Sequence, residues 1–461
     1  MKLEFTTRMP GNTRLILLFS GWSTSVALYS GIEKPGWDTA VVTDYSDLQF
    51  PAEVLSGYST IYLYCWSLGV WAASRVIPVD KITMAFAVNG TENPVDDRYG
   101  IPEKIFHSTA AGLDERTLYK FRRRMLGKSQ ETDIAALSAD SLPPVELKHE
   151  LEYIAGMAQI PSDNSPICWR RVYIGDQDMI FPPQNQHRAW RHISERCREI
   201  YVCEGEPHYI SLKRIVDTTI PDTCKVGQRF EVSSDSYDSN ALAQLRIAEK
   251  LTGMLRTSDV APRPSVLEIG QGTGLFTKLY AKVINPASIE FVDIYQTPRL
   301  NVADKEIYHV EDAEIWMEKH KATFDLLVSA STIQWFRNPI RFFENGSRLL
   351  NKDGILVCST FLPGTLEIFD RFRPSPMLYI RKDELIEAAG RWFGNVETEE
   401  FKIELTFSDA KKALLHLNHT GVGGSFGRFA SLREVVKSIS TQNGDVSLIF
   451  NALCIKAYNR K

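Results

Sequence analysis

The run Glu268-Ile269-Gly270-Gln271-Gly272-Thr273-Gly274 constrains this chain more than any other stretch. It closes an apolar, strand-like segment that begins at Ser265-Val266-Leu267, and helix-like sequence follows it. Alternate glycines suit a loop whose backbone must come close to a ligand, as after the first strand of a doubly wound sheet. A dinucleotide fingerprint would want glycine at 275, where Leu275 stands. The acidic Glu268 ahead of the first glycine fits S-adenosylmethionine instead, because the amino-acid end of that cofactor carries an ammonium. Asp293 ends the next strand-like run, where a carboxylate accepts hydrogen bonds from both ribose hydroxyls. Asp312-Ala313 follows the next segment, at the place for an adenine amine. For Asp312 taken alone, a helix cap is the competing reading.

At 461 residues the chain exceeds one ordinary core, and two or three domains are expected. A second strand-turn-helix signal lies near the start, in Cys65-Trp66-Ser67-Leu68-Gly69. Such a nucleophile elbow turns so sharply that small residues are needed two places either side of the serine. Gly69 meets this, and Cys65 replaces the usual glycine. Short apolar runs at 15–19, 40–42, 61–64, 84–88, 171–174 and 200–203 read as buried parallel strands. Polar, helix-prone sequence between about 110 and 160 is placed like a cap. Periodicity fades at Val216-Asp217-Thr218-Thr219-Ile220-Pro221, and a new alternation follows, with strand runs at 265–269, 289–293, 324–328 and 354–358. The expected organisation is an α/β-hydrolase domain with a helical cap over 1–215 and a linker over 216–227. A class I S-adenosylmethionine-dependent methyltransferase domain, Rossmann-like, is expected over 228–461.

No apolar run nears the roughly 18 residues of a membrane span. The N-terminal Met1-Lys2-Leu3-Glu4-Phe5 lacks a signal core. Seven scattered cysteines form no CxxC pair and no metal-like cluster, so a reducing cytoplasm and no metal are expected. A net charge of -4 disfavours nucleic acid as the main partner.

A serine hydroxyl needs a base to take its proton and a carboxylate to orient that base; in this fold their chain order is Ser, Asp or Glu, then His. Of the five histidines in the first half, His208 alone lies just after the last expected strand; His187 and His192 sit on a probable helix and read as surface residues. Asp178 in Gly175-Asp176-Gln177-Asp178-Met179-Ile180-Phe181-Pro182 is the favoured acid, with Asp176 in reserve. Backbone N–H groups of Leu68 and Trp22 are the expected oxyanion donors; the Trp22 indole reads equally well as a pocket wall.

Ser20-Gly21-Trp22, Cys65 to Trp71, Val88-Asn89-Gly90-Thr91 and Phe121-Arg122-Arg123-Arg124-Met125 resemble the BioG-type pimeloyl-ACP methyl ester esterases of biotin synthesis over about residues 1–212. The resemblance implies a Ser67/Asp178/His208 triad that cuts the methyl ester of a pimeloyl group on acyl carrier protein. Carrier proteins are acidic, so Arg122-Arg123-Arg124 is either a docking site or a plain solvated helix face. Ser236-Tyr237-Asp238 with Gln244, Ser329 to Phe336, and His416 to Val422 resemble the BioC-type malonyl-ACP methyltransferases over about 228–461. That resemblance places Tyr237 and the Gln334 loop along the cofactor and substrate site. Arg371, Arg373, Tyr379 and Arg381 are either clamps for the substrate carboxylate or, as a cluster, a contact for the carrier protein, and their spacing does not rank the two.

Together these readings describe a bifunctional enzyme that masks the carboxylate of malonyl-ACP with a methyl group and later removes the mask from pimeloyl-ACP methyl ester. A thioesterase, or a non-catalytic carrier-docking module, stands as the alternative for the first half.

Overall fold

The computed structural model describes residues 1–127, 142–256, 260–372, 377–420, 439 and 445–461. It divides into two compact units, Met1–Val216 and Asp217–Lys461.

The first unit is built on a seven-stranded sheet of order β1-β3-β2-β4-β5-β6-β7. Its strands are β1 (Lys2–Thr7), β2 (Arg14–Phe19), β3 (Asp38–Thr43), β4 (Thr60–Trp66), β5 (Met84–Val88), β6 (Arg171–Gly175) and β7 (Ile200–Cys203). All neighbours pair in parallel except β1, which runs antiparallel along β3. Every residue of β4 and β5 is buried, which is why these segments read as unbroken apolar runs rather than alternating ones. The chain passes from β2 to β3 on one side and then to β4 on the other. The carboxyl ends of β2 and β4 therefore flank the crevice where strand order reverses, the usual ligand position in an open α/β sheet. Helices Glu103–Ala111, Glu115–Leu126 and Pro144–Ala158 are inserted between β5 and β6.

The second unit holds another seven-stranded sheet, of order β10-β9-β8-β11-β12-β14-β13. Its strands are β8 (Ser265–Ile269), β9 (Ser288–Asp293), β10 (Lys305–Val310), β11 (Phe324–Ser329), β12 (Leu350–Phe361), β13 (Phe393–Phe407) and β14 (Val446–Arg460). The first five run parallel; β14 and β13 close the edge as an antiparallel pair. Order reverses between β8 and β11, so the glycine run emerges at the switch point.

The stretch expected as a linker is largely helical. Helix Leu212–Thr219 leads to a break at Ile220-Pro221-Asp222, and helix Thr223–Asn240 follows, capped by Asp222 Oδ1 on the Lys225 N–H (3.1 Å). Leu212, Ile215, Val216 and Thr219 recur at helical spacing and are all buried, so the first of these helices is amphipathic and runs across the expected start of the linker. No helix among the described residues is long and apolar enough to cross a membrane.

Candidate active sites

In the first unit, β4 is followed at once by Ser67, whose backbone has φ 58° and ψ -127°, a strained conformation for a residue with a side chain. Helix Leu68–Val76 begins at the next residue. The turn is enforced by close packing: a Cβ on Gly69 would lie 2.5 Å from the Phe19 carbonyl oxygen. At Gly90 it would lie 2.2 Å from the Ser67 carbonyl oxygen. Cys65, two places before the serine, is completely buried, and burial pushes its thiol pKa far up, so it serves as a small packing residue.

Ser67 Oγ lies 2.9 Å from His208 Nε2, and His208 Nδ1 lies 2.9 Å from Asp178 Oδ2 and 3.0 Å from Oδ1. All three residues are buried. Asp178 also accepts the Ile180 and Phe181 N–H groups and, on Oδ2, Gln186 Nε2 (2.9 Å). This carboxylate is held in one orientation from four sides. The reserve candidate Asp176 is exposed and instead accepts the Gly205 N–H (2.7 Å). His187 and His192 lie on helix Pro183–His192, as expected; His192 is exposed and stacks on Tyr99.

The Ser20-Gly21-Trp22 loop follows β2 and sits against the elbow, where a Cβ on Gly21 would strike the Trp66 ring at 2.6 Å. The Trp22 indole donates to the Leu147 carbonyl (3.2 Å) and meets Phe121 edge-on at 5.0 Å, so the ring is a pocket wall. Trp22 and Leu68 line one slot with Ser67, together with Ile101, Phe106 and Ile180. The basic run divides. Arg122 is buried and donates to the Ser23 carbonyl (3.0 Å), bracing the loop beside Trp22, which removes it from the expected docking set. Arg123 and Arg124 are exposed, and Arg124 reaches the mouth of the slot.

In the second unit, Gly270 and Gly272 floor a cleft, with φ of 76° and 59°. A Cβ on Gly270 would sit 2.1 Å from Thr332 Oγ1. The Gly272 N–H donates to Asp293 Oδ2 (2.9 Å) and the Ile294 N–H to Oδ1 (2.7 Å), and the Tyr295 N–H also bonds this carboxylate, which lines the cleft. Burial raises the Asp293 pKa to about 6. Asp312 and Ala313 also line the cleft; Asp312 both caps helix Ala313–Lys319 and pairs with the buried Arg337. Arg337 further bonds Glu314 Oε2 (2.7 Å) and Thr223 Oγ1 (3.1 Å). Tyr237, Phe230 and Trp335 form an aromatic wall, and Gln244 turns an unpartnered, buried Oε1 toward the same space.

Three expected residues are absent from the lining. Glu268 points away from the cleft: it accepts the Tyr280 hydroxyl (2.6 Å) and Thr277 Oγ1 (2.9 Å), and burial raises its pKa to about 8. Its place two residues before Gly270, still inside β8, turns it toward helix Thr277–Ile284, so it braces that helix rather than facing a ligand ammonium. Gly274 is needed for contact with Leu300, 2.5 Å from a built Cβ. Gln334 donates to the Ser331 carbonyl (2.5 Å), while its neighbours Trp335 and Phe336 reach the cleft. Of the candidate clamps, Arg381 is exposed and paired with Asp383, and Tyr379 is packed in the core. Arg373, the side chains of Ser236 and Arg371, and Gly421-Val422 lie outside the described residues. Gln186 and Arg337 had no signal in the sequence, because what matters about them is the distant partner each meets. Among the described residues no group of three or more His, Cys, Asp or Glu could hold a metal ion.

Residues 1–212 match the family described as pimeloyl-ACP methyl esterase BioG, and 240–400 match a methyltransferase domain. A malonyl-[acyl-carrier protein] O-methyltransferase of Bacteroides fragilis is 32% identical over 98% of this chain and 94% of its own length. The protein of that description from Porphyromonas gingivalis is 28% identical, covering 50% of this chain and 94% of its own. Among solved structures, BioG of Haemophilus influenzae is similar at 33% identity with a TM-score of 0.41, covering 46% of this chain and 96% of that one.

Proposed function

Because the chain belongs to the malonyl-[acyl-carrier protein] O-methyltransferase family, with a BioG domain at its N-terminus and a methyltransferase domain at its C-terminus, we propose that it is a two-reaction enzyme of biotin synthesis that both makes and cuts methyl esters. The observation that carries this reading is the occurrence, on one polypeptide, of a hydrogen-bonded Ser67–His208–Asp178 line and a glycine-floored cleft headed by Asp293.

In the C-terminal unit the cleft suits S-adenosylmethionine. Asp293 has two oxygens for a ribose diol, Asp312 and Ala313 lie where an adenine edge fits, and only glycine leaves room at 270. When bound, the cofactor supplies a methyl group on a sulfonium. The acceptor is the free carboxylate of malonyl-ACP. It is already ionised near neutrality and needs alignment rather than a base. Tyr237, Gln244 and Ser331 offer neutral polar groups in the lining that can hold it.

In the N-terminal unit, which we read as an α/β-hydrolase with a helical cap, Ser67 Oγ attacks the ester carbonyl and His208 Nε2 takes its proton. Asp178 stabilises the imidazolium that forms. The backbone N–H groups of Leu68 and Trp22 receive the oxyanion. Nε2 then delivers its proton to the departing methoxide oxygen, which leaves as methanol; water, deprotonated by Nε2, attacks the acyl-serine, and the free acid leaves as the proton returns to Ser67 Oγ. The slot of Trp22, Ile101, Phe106 and Ile180 accepts the pimeloyl chain, and acyl carrier protein is the partner on both units.

The test uses the full-length chain. Transfer of label from S-adenosylmethionine to malonyl-ACP, and methanol release from pimeloyl-ACP methyl ester, are the expected results. Ser67→Ala should abolish only the second. Release of carrier thiol in place of methanol would establish the thioesterase alternative. Failure of Ser67 to react with a fluorophosphonate would favour a docking module.

A further inference from the structure

The loop that carries His208 has no regular secondary structure of its own, yet its backbone is held on both sides of the histidine. Asn89, the first residue after β5, is completely buried, with φ at 43°. Its side-chain Nδ2 donates to the carbonyls of Pro207 (2.9 Å) and His208 (2.8 Å), and its Oδ1 accepts the Gly175 N–H (2.7 Å) at the end of β6. The Asn89 backbone N–H donates to the Tyr173 carbonyl (3.0 Å). Trp66, the residue before the serine, sends its indole N–H to the same His208 carbonyl (2.9 Å). The junction is too tight for slack: a Cβ on Gly175 would lie 2.5 Å from the Glu206 carbonyl oxygen and 2.6 Å from that of Pro207. One carboxamide thus ties the end of β5, the end of β6 and the histidine loop into a single block. Asp178 and Ser67 are joined to that block through the ends of β6 and β4.

We propose that Asn89 is a positioning residue for ester hydrolysis: by anchoring the Pro207 and His208 carbonyls it keeps His208 Nε2 within hydrogen-bond reach of Ser67 Oγ. The proposal rests on the reading of Ser67 and His208 given above. Asparagine fits the task for two reasons: it tolerates positive φ better than most residues with a side chain, and it presents two donors beside an acceptor. Aspartate has the same shape but, once ionised, no donor, and would then face two carbonyl oxygens.

The test compares Asn89→Asp and Asn89→Gly in the full-length chain, with active sites counted by fluorophosphonate titration so that only folded molecules contribute. Glycine keeps the backbone angle and removes both donors; its kcat for pimeloyl-ACP methyl ester should fall about 100-fold, the scale expected when a catalytic group drifts by about 1 Å, with KM nearly unchanged. Asn89→Asp should lose activity at high pH, where its ionised carboxylate faces two carbonyl oxygens, over a range in which the parent keeps its activity. Variants that match the parent in kcat and pH profile while Ser67→Ala is inactive would overturn the role of Asn89 alone. Activity surviving in Ser67→Ala would overturn the reading beneath it.

Discussion

Glu268 allows a quantitative test of how the second unit is built. It is buried under Thr277 and Tyr280, and its pKa stands at about 8 against an ordinary 4.5. The folded protein therefore keeps a proton that the unfolded chain releases above pH 4.5. This stabilisation is complete at low pH and is lost as pH rises through 8. The gap of about 3.5 pH units corresponds to roughly 5 kcal/mol in full, of which about 2 kcal/mol is lost between pH 6 and pH 8. Glu268→Gln carries no titrating proton but can still accept from Tyr280 and donate to Thr277. In urea unfolding of the full-length chain, the transition of this unit is identified as the one that S-adenosylhomocysteine should raise on the proposed reading. Its free energy should fall by about 2 kcal/mol more in the parent than in Glu268→Gln between the two pH values. Equal pH dependence in both proteins, or a parent that gains stability on going to pH 8, would refute the placement of a neutral carboxyl under that helix.

Gly270→Ala forces a Cβ to within 2.1 Å of Thr332 Oγ1 at a φ of 76°. Titration calorimetry should show S-adenosylhomocysteine binding weakened more than tenfold, whereas hydrolysis of the pimeloyl ester stays intact. Arg337→Leu leaves the half-buried Asp312 and Glu314 without this cation, and should cost this unit about 3 kcal/mol in urea unfolding. Malonyl-ACP methyl ester, shorter by several methylenes than the pimeloyl ester, cannot fill the slot beside Ser67. At roughly 1–3 kcal/mol per methylene, its hydrolysis should be slower by orders of magnitude in kcat/KM, and equal rates would remove the slot as the discriminator.

Strands with both faces covered were legible because burial leaves an unbroken apolar run. β2, β4, β5, β8 and β11 stand where those runs end in the turn residues. The edge strands β1, β10 and β13 give no comparable signal. β1 and β10 lack a single fully buried residue, and β13 carries charges on both faces, Glu397 and Glu399 on one and Glu400 on the other. The helix before Pro221 is short, but its buried Leu212, Ile215, Val216 and Thr219 mark it at helical spacing.

By itself, the sequence determined the two strand-turn-helix loops, because a glycine or an elbow serine is imposed by backbone geometry within a few residues. It also ordered Ser67, Asp178 and His208 along the chain and placed Asp293 at the end of its strand. Only the tertiary structure decided which way the side chains between those points face. Glu268 lies one strand residue from the cleft yet turns to Tyr280, and Arg122 leaves the basic run to hold Ser23. Asn89 reaches the histidine loop from more than 100 positions away. Such facts depend on what approaches from elsewhere in the chain, and adjacency in sequence carries no record of it.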